Sequence, residues 1–178
     1  MQKTYVLDTN VLIQAPYAPS CFEENEVVIP LVVLEELDNL KKDEGERGAN
    51  VRRTIRFLEQ MRAKGNLTDG IAMENEGILR VEKNYLDVEL PPDLPEYKSD
   101  NRILKVCKGL AQNREEQVVL VTKDILLRIK AQLLGIKAED FTTEQVGEHE
   151  TQYPGRIEVY VPEEVFKDFK KKGIPVES

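Results

Sequence analysis

Short apolar runs alternate with stretches of helical spacing along this chain, and that alternation limits its folds more than any other feature. TYVLD, EVVIP, ILRVEKN and QVVLVTKD read as strands. The first two read as short buried strands and the other two repeat the strand signal, so a parallel sheet covered by helices is the natural architecture. The helical stretches are VLIQA, LVVLEELDNLKK, ANVRRTIRFLEQMRAKG, DNRILKVCKGLAQN and DILLRIKAQLLG, the last ending at Gly135 as a C-cap. An α/β sandwich follows. YLDVELPPDLPEYKSD, Pro-rich and acidic, is expected to be an exposed loop before the helix that starts near Asp100. AEDFTTEQVGEHETQYPG is a polar connection to a last strand-like run, RIEVYVP, and a short amphipathic tail.

Composition narrows the class. With 178 residues, 40% of them hydrophobic and 33% charged, the chain suits one domain of the usual roughly 100–200 residues. The longest apolar run, VVIPLVVL, is a fraction of the roughly 20 residues that span a bilayer, and the N-terminus lacks a secretory pattern. No membrane association is expected, and the expected location is cytoplasmic. Cys21 and Cys107 lie in apolar surroundings without a CxxC pair, and the single histidine, His149, sits in an acidic stretch. A zinc site and a redox motif therefore lack ligands, and both cysteines are expected to be reduced and structural.

In a parallel sheet the C-terminal strand ends share one edge, where ligands bind. Asp8 of YVLDTNVLI and Asp124 of LVTKD fall just past two such ends, and Asp100 opens a helix that begins there if its loop returns to that edge. Each aspartate has a plain alternative as a helix N-cap. Together they would be a costly cluster of like charges without a cation. LVVLEELDNL adds a fourth acid: Val33, Leu34, Leu37 and Leu40 form an apolar stripe, with Glu36 at its edge and Glu35 turned away. Four carboxylates without His or Cys make a hard oxygen site, suited to Mg²⁺ or Mn²⁺ and to in-line hydrolysis of a phosphodiester. Asn10 and Thr122 are placed to orient carboxylates or waters.

The order LDTNVL, VVIPLVVLEELD, SDNRIL, LVTKD resembles the four acidic motifs of PIN-domain nucleases across most of residues 4–135. ELDNLKK and RRTIRFLE are most similar to the PIN domain at the N-terminus of PhoH-like ATPases. The resemblance implies a PIN-like (5′-nuclease-like) three-layer sandwich, with a mainly parallel central sheet flanked by helices. It implies Asp8, Glu36, Asp100 and Asp124 as catalytic metal-site acids, Thr9, Asn10 and Thr122 as supporting polar groups, and a metal-dependent ribonuclease activity. Residues 1–155 are expected to be the PIN-like nuclease domain, with residues 156–178 a C-terminal strand and tail packed on it. No GxxxxGK[ST] occurs in the chain, so KKKGIPVES is expected to lead towards a missing PhoH-like ATPase domain.

A net charge of −8 argues against an RNA partner only if charge is spread evenly. Residues 41–64 instead carry eight basic against four acidic side chains. Arg52 and Arg56 share a helix face there and are the expected RNA contacts, although a plain solvated face is the commoner fate of such groups. A receiver domain would need an acidic pair after the first strand, and a haloacid-dehalogenase-type phosphatase would need DxD where this chain has DTN. The alternative that survives is a noncatalytic PIN module binding RNA or a partner. Nothing in the sequence fixes the oligomeric state, and a homo-oligomer stays open.

Overall fold

Three apolar strands form the centre: β1 (Thr4–Leu7), β2 (Glu26–Pro30) and a third that arrives only at residue 118. Val6, Leu7, Val27, Val28, Ile29, Val119 and Leu120 on these strands are wholly buried. The computed structural model describes residues 2–85 and 87–142, which through Asp140 form one compact unit. After β1 come α1 (Thr9–Gln14) and a 3₁₀ turn, Ala18–Cys21; after β2 come α2 (Leu31–Leu40) and α3 (Gly45–Arg62). β3 (Ile71–Ala72), β4 (Ile78–Glu82), α4 (Ser99–Asn113), β5 (Val118–Val121), α5 (Ile125–Leu133) and β6 (Lys137–Glu139) complete the unit.

The sheet runs β3-β4-β2-β1-β5-β6, with Tyr5 beside Val27 on one side and Val119 on the other. Every pairing is parallel except β3 with β4. Helices flank this mostly parallel sheet, as expected. Chain order reverses across β1, so the crevice beyond the C-terminal ends of β1, β2 and β5 is the topological place for a ligand. At the opposite end, buried Glu26 accepts from Thr4 at 2.9 Å and pairs with Arg80 at 2.6 Å and with Arg114.

Two edge strands depart from the sequence reading. β3, two residues long, is too short to give an apolar run and β6 (KAE) is short and polar; pairing with β4 and β5 makes them strands. α3 begins at Gly45 rather than Ala49, because its first turn, GERG, carries no apolar stripe. A Cβ on Gly48 would stand 1.7 Å from the Asp43 carbonyl oxygen, so glycine lets the α2–α3 turn close against the helix. α5 ends as expected: Gly135, at φ +74°, gives its N–H to Gln132, and Ile136 gives its own to Ala131.

Cys21 and Cys107 are buried free thiols, and burial pushes both thiols up. Among the described residues no helix is long and apolar enough to cross a membrane. RIEVYVP, the tail, the boundary expected at residue 155 and His149 lie outside the described residues.

Candidate active site

Asp8 follows the last residue of β1 in an extended conformation, and Leu7 lies abreast of Val121 on β5. Its backbone N–H donates to the Val121 carbonyl at 3.0 Å. The side chain is 7% exposed and both oxygens are engaged: Oδ1 accepts the Thr9 N–H at 2.6 Å and Oδ2 accepts the Thr122 hydroxyl at 2.7 Å. Thr122 also accepts the Asp124 N–H at 3.1 Å. Asn10 accepts the Lys123 N–H at 3.2 Å, tying α1 to the turn after β5. Asp8 caps α1 and Asp124 caps α5, the latter accepting from Leu126 at 2.9 Å. Capping and a place in the crevice are compatible: capping uses one oxygen of each carboxylate.

On α2, Glu36 is half-buried while Glu35 is exposed, in the phase its apolar stripe requires. One Glu36 oxygen accepts the Thr9 hydroxyl, and the other accepts Ser99 Oγ at 2.5 Å. Hydroxyls thus link four elements: Thr122 after β5 to Asp8 at the start of α1, Thr9 of α1 to Glu36 of α2, and Ser99 of α4 to the same Glu36. Sequence reasoning missed Ser99. Its only signal was its place beside Asp100.

Asp100 sits differently from the other acids. Its Oδ2 meets the Lys130 ammonium at 3.1 Å, and the same ammonium reaches Asn101 Oδ1 at 3.0 Å. Among the described residues, no Lys or Arg pairs with Asp8, Glu36 or Asp124. Burial lifts Asp8 from the ordinary 3.8 to about 6; bonds from Thr122 and Thr9 pull it down, and the charges of Glu36 and Asp124 push it up again. These acids are an all-oxygen donor set with uncompensated charge, which fits a hard divalent cation. Among the described residues, no three acidic, His or Cys side chains converge as a ready-made ligand group.

Asp8 and Glu36 line a groove of about 380 Å³ together with Ile13, Asn39, Leu40 and Arg47. Arg47 was not foreseen. Arg52, expected at an RNA face, instead donates Nη1 to the carbonyls of Lys41 at 2.8 Å and Asp43 at 3.1 Å, bracing the α2–α3 turn. Arg56 is exposed on α3, and no ion pair holds it among the described residues. Neither arginine lines the groove.

A family model described as PIN domain matches residues 5–142, which takes in every strand and helix named above except the first residue of β1. The chain belongs to the PIN domain family. Protein PhoH2 of Bacillus subtilis is 42% identical over 179 residues, covering 97% of this chain and 40% of the relative. Protein PhoH2 of Thermobispora bispora is 40% identical over 163 residues, covering 91% of this chain and 36% of the relative. The chain spans about two fifths of the length of these relatives. A domain of a functionally unknown protein from Methanocaldococcus jannaschii shares the fold, with a TM-score of 0.50 at 21% identity over 85% of this chain and 97% of that one. PIN domains are generally nucleases and generally use divalent metals.

Proposed function

We propose that this PIN domain is a Mg²⁺- or Mn²⁺-dependent ribonuclease that hydrolyses RNA phosphodiester bonds at the Asp8 crevice. One observation supports the reading: at the C-terminal edge of the parallel sheet buried Asp8 feels the charges of both Glu36 and Asp124, each acid is held by hydroxyl or N–H donors, and among the described residues none of the three pairs with a basic side chain. A purely structural cluster of this kind would be destabilising. In this reading Asp8, Glu36 and Asp124 hold the cation, and Asp100 joins them if Lys130 releases it. When bound, such a cation activates water and stabilises charge on the phosphoryl oxygens.

The chain's own residues supply orientation. Thr122 fixes Oδ2 of Asp8, Thr9 fixes Oδ1 through its N–H and turns its hydroxyl to Glu36, and Ser99 holds the second Glu36 oxygen. Asn10 steadies the β5–α5 turn that carries Asp124. This support leaves the carboxylates little freedom to rearrange, which lowers the cost of placing a substrate phosphate against them.

Incubation of labelled RNA with the chain in chelator, Mg²⁺ or Mn²⁺, beside the Asp8→Asn variant, tests the proposal. Metal-dependent cleavage lost in the variant supports it; cleavage that is equal in both proteins, or absent with every metal, overturns it. A second reading, a noncatalytic PIN module serving a PhoH-like ATPase domain, draws on the Lys130–Asp100 pair, which ties up one of the four acids. The greater length of the PhoH2 relatives agrees with a partner domain in the longer protein. A cytoplasmic location belongs to both readings.

A further inference from the structure

We infer that Lys105 is a positioning residue for the acidic crevice: through Glu96 it fixes the turn that sets Ser99 against Glu36. The inference rests on the nuclease reading for the meaning of the crevice and adds a residue that no motif points to. The Pro-rich segment before α4 is largely exposed, yet α4 fastens it with one stripe of side chains, Asn101, Lys105 and Lys108. Asn101 Nδ2 donates to the Pro95 carbonyl at 2.8 Å, Lys105 Nζ to Glu96 Oε1 at 2.9 Å, and Lys108 Nζ to the Glu89 carbonyl. Beside the stripe, Arg102 Nε donates to the Glu96 carbonyl at 3.0 Å. Glu96 is thus held by side chain and by backbone, just ahead of Ser99.

That grip stands in for a cap. α4 starts from an extended Lys98, and no side chain caps its first N–H groups. The polar groups at its start are turned to the crevice instead: Ser99 Oγ donates to Glu36 at 2.5 Å, and Asp100 meets Lys130 at 3.1 Å. A helix start without a cap frays unless tertiary contacts hold it. Stability alone does not explain the lysine. Its side chain is 8% exposed while that of Glu96 is 52% exposed, and an ammonium buried to that degree is costly where a methionine would fill the same space without the cost. Only the lysine can hold the Glu96 carboxylate, and with it the turn that carries Ser99.

Calorimetric titration of Mn²⁺ into the chain tests the inference through a double-variant cycle with Ser99→Ala. Lys105→Met should lower Mn²⁺ affinity about 3- to 10-fold, below the usual effect of losing a group bonded to the ligand itself. Loss of a positive charge alone would raise the affinity. In the Ser99→Ala background the same change should shift affinity by less than about twofold, because the route to Glu36 is already cut. Urea melts in chelator should give a midpoint that is unchanged or higher. Lys108→Met, on the same stripe but holding Glu89 farther up the loop, is the control and should leave Mn²⁺ affinity within about twofold. Glu96→Gln keeps an acceptor for the buried ammonium and is the second variant where Lys105→Met does not fold. It should lower affinity about 2- to 3-fold, and not at all after Ser99→Ala, where a bare charge effect would persist. Unchanged or raised affinity with Lys105→Met, equal losses in both backgrounds, a lower urea midpoint, an equal loss with Lys108→Met, or a wild type that binds no Mn²⁺ overturns the inference. Where Lys105→Met does not fold, a Glu96→Gln effect that is absent or survives Ser99→Ala overturns it too. Lys105-dependent Mn²⁺ binding by a chain that never cleaves RNA would sink the nuclease reading while the positioning role stands. Metal-dependent cleavage with a Mn²⁺ affinity indifferent to Lys105 would do the reverse.

Discussion

Thr122 and Asp8 stand 114 residues apart in sequence and 2.7 Å apart in space, hydroxyl to carboxylate, and this bond joins the ends of β1 and β5. Because Thr122 also accepts the Asp124 N–H, one buried side chain sets the positions of two acids. Thr122→Val keeps the shape and removes both bonds. It should lower metal affinity or metal-dependent cleavage about 10- to 100-fold, the usual effect of losing a partner that orients a ligand. Thr122→Ser should restore most of it. Metal titrations and cleavage rates of the two variants decide the matter, and a valine variant with wild-type behaviour would reduce Thr122 to packing.

Asp8 gives the metal-free domain a pH dependence with a definite sign. Between the ordinary 3.8 and about 6 the folded chain keeps a proton that the unfolded chain releases, so stability falls as pH rises through that window. Above about 6 the penalty is complete, at most about 3 kcal/mol. Asp8→Asn removes it, and asparagine can still accept the Thr9 N–H while donating to Thr122 Oγ1. In chelator the variant should therefore be the more stable protein at pH 7 and match the wild type near pH 4. Mn²⁺ should reverse the order at pH 7, because only the wild type gains full binding free energy. Urea melts at both pH values test this; identical melts in chelator at pH 7 would mean that Asp8 is not under electrostatic stress.

Glu36 and Glu35 make a paired test of helical phase. Glu36→Gln weakens the acceptor of the Thr9 and Ser99 hydroxyls and removes a charge from the crevice, and cleavage should fall by at least about 100-fold. Glu35 is exposed, and Glu35→Gln should stay within about twofold of wild type, as surface substitutions away from a site do. Equal losses in the two variants would remove Glu36 from the site.

What was legible in the sequence was whatever depended on local pattern. β1, β2, β4 and β5 announced themselves as apolar runs, and the stripe on α2 separated Glu36 from Glu35. Asp8 and Asp124 could be placed on one edge because parallel strands put their ends together. β3 and β6 could not be read, since segments of two or three residues become strand only by pairing with a neighbour. The same limit applies to the site: Ser99 reaches Glu36 across 63 residues and Lys130 reaches Asp100 across 30, distances over which no local periodicity speaks. Arg52 shows the same limit from the other side. Its helical phase is exposed, yet the α2–α3 turn folds back to use its guanidinium.

Lys130 decides whether the site has three acids or four. Its ammonium lies 3.1 Å from Asp100 in a pair that is about one quarter and one third exposed, so Lys130→Gln should lower metal-free stability by less than about 1 kcal/mol. Its effect on metal binding should be larger and of opposite sign. Removing a positive charge from the edge of the crevice and freeing a carboxylate should raise Mn²⁺ affinity about 3- to 10-fold, the scale of one charge about 6–12 Å from a dication when water screens the pair with a dielectric of about 80. Charge alone would give part of that gain, so the double variant Lys130→Gln with Asp100→Asn separates the causes. If Asp100 joins the other acids, the double variant should fall back to or below wild-type affinity. Double-variant affinity that matches Lys130→Gln alone would fix Asp100 as a structural partner of Lys130 and leave Asp8, Glu36 and Asp124 to hold the metal.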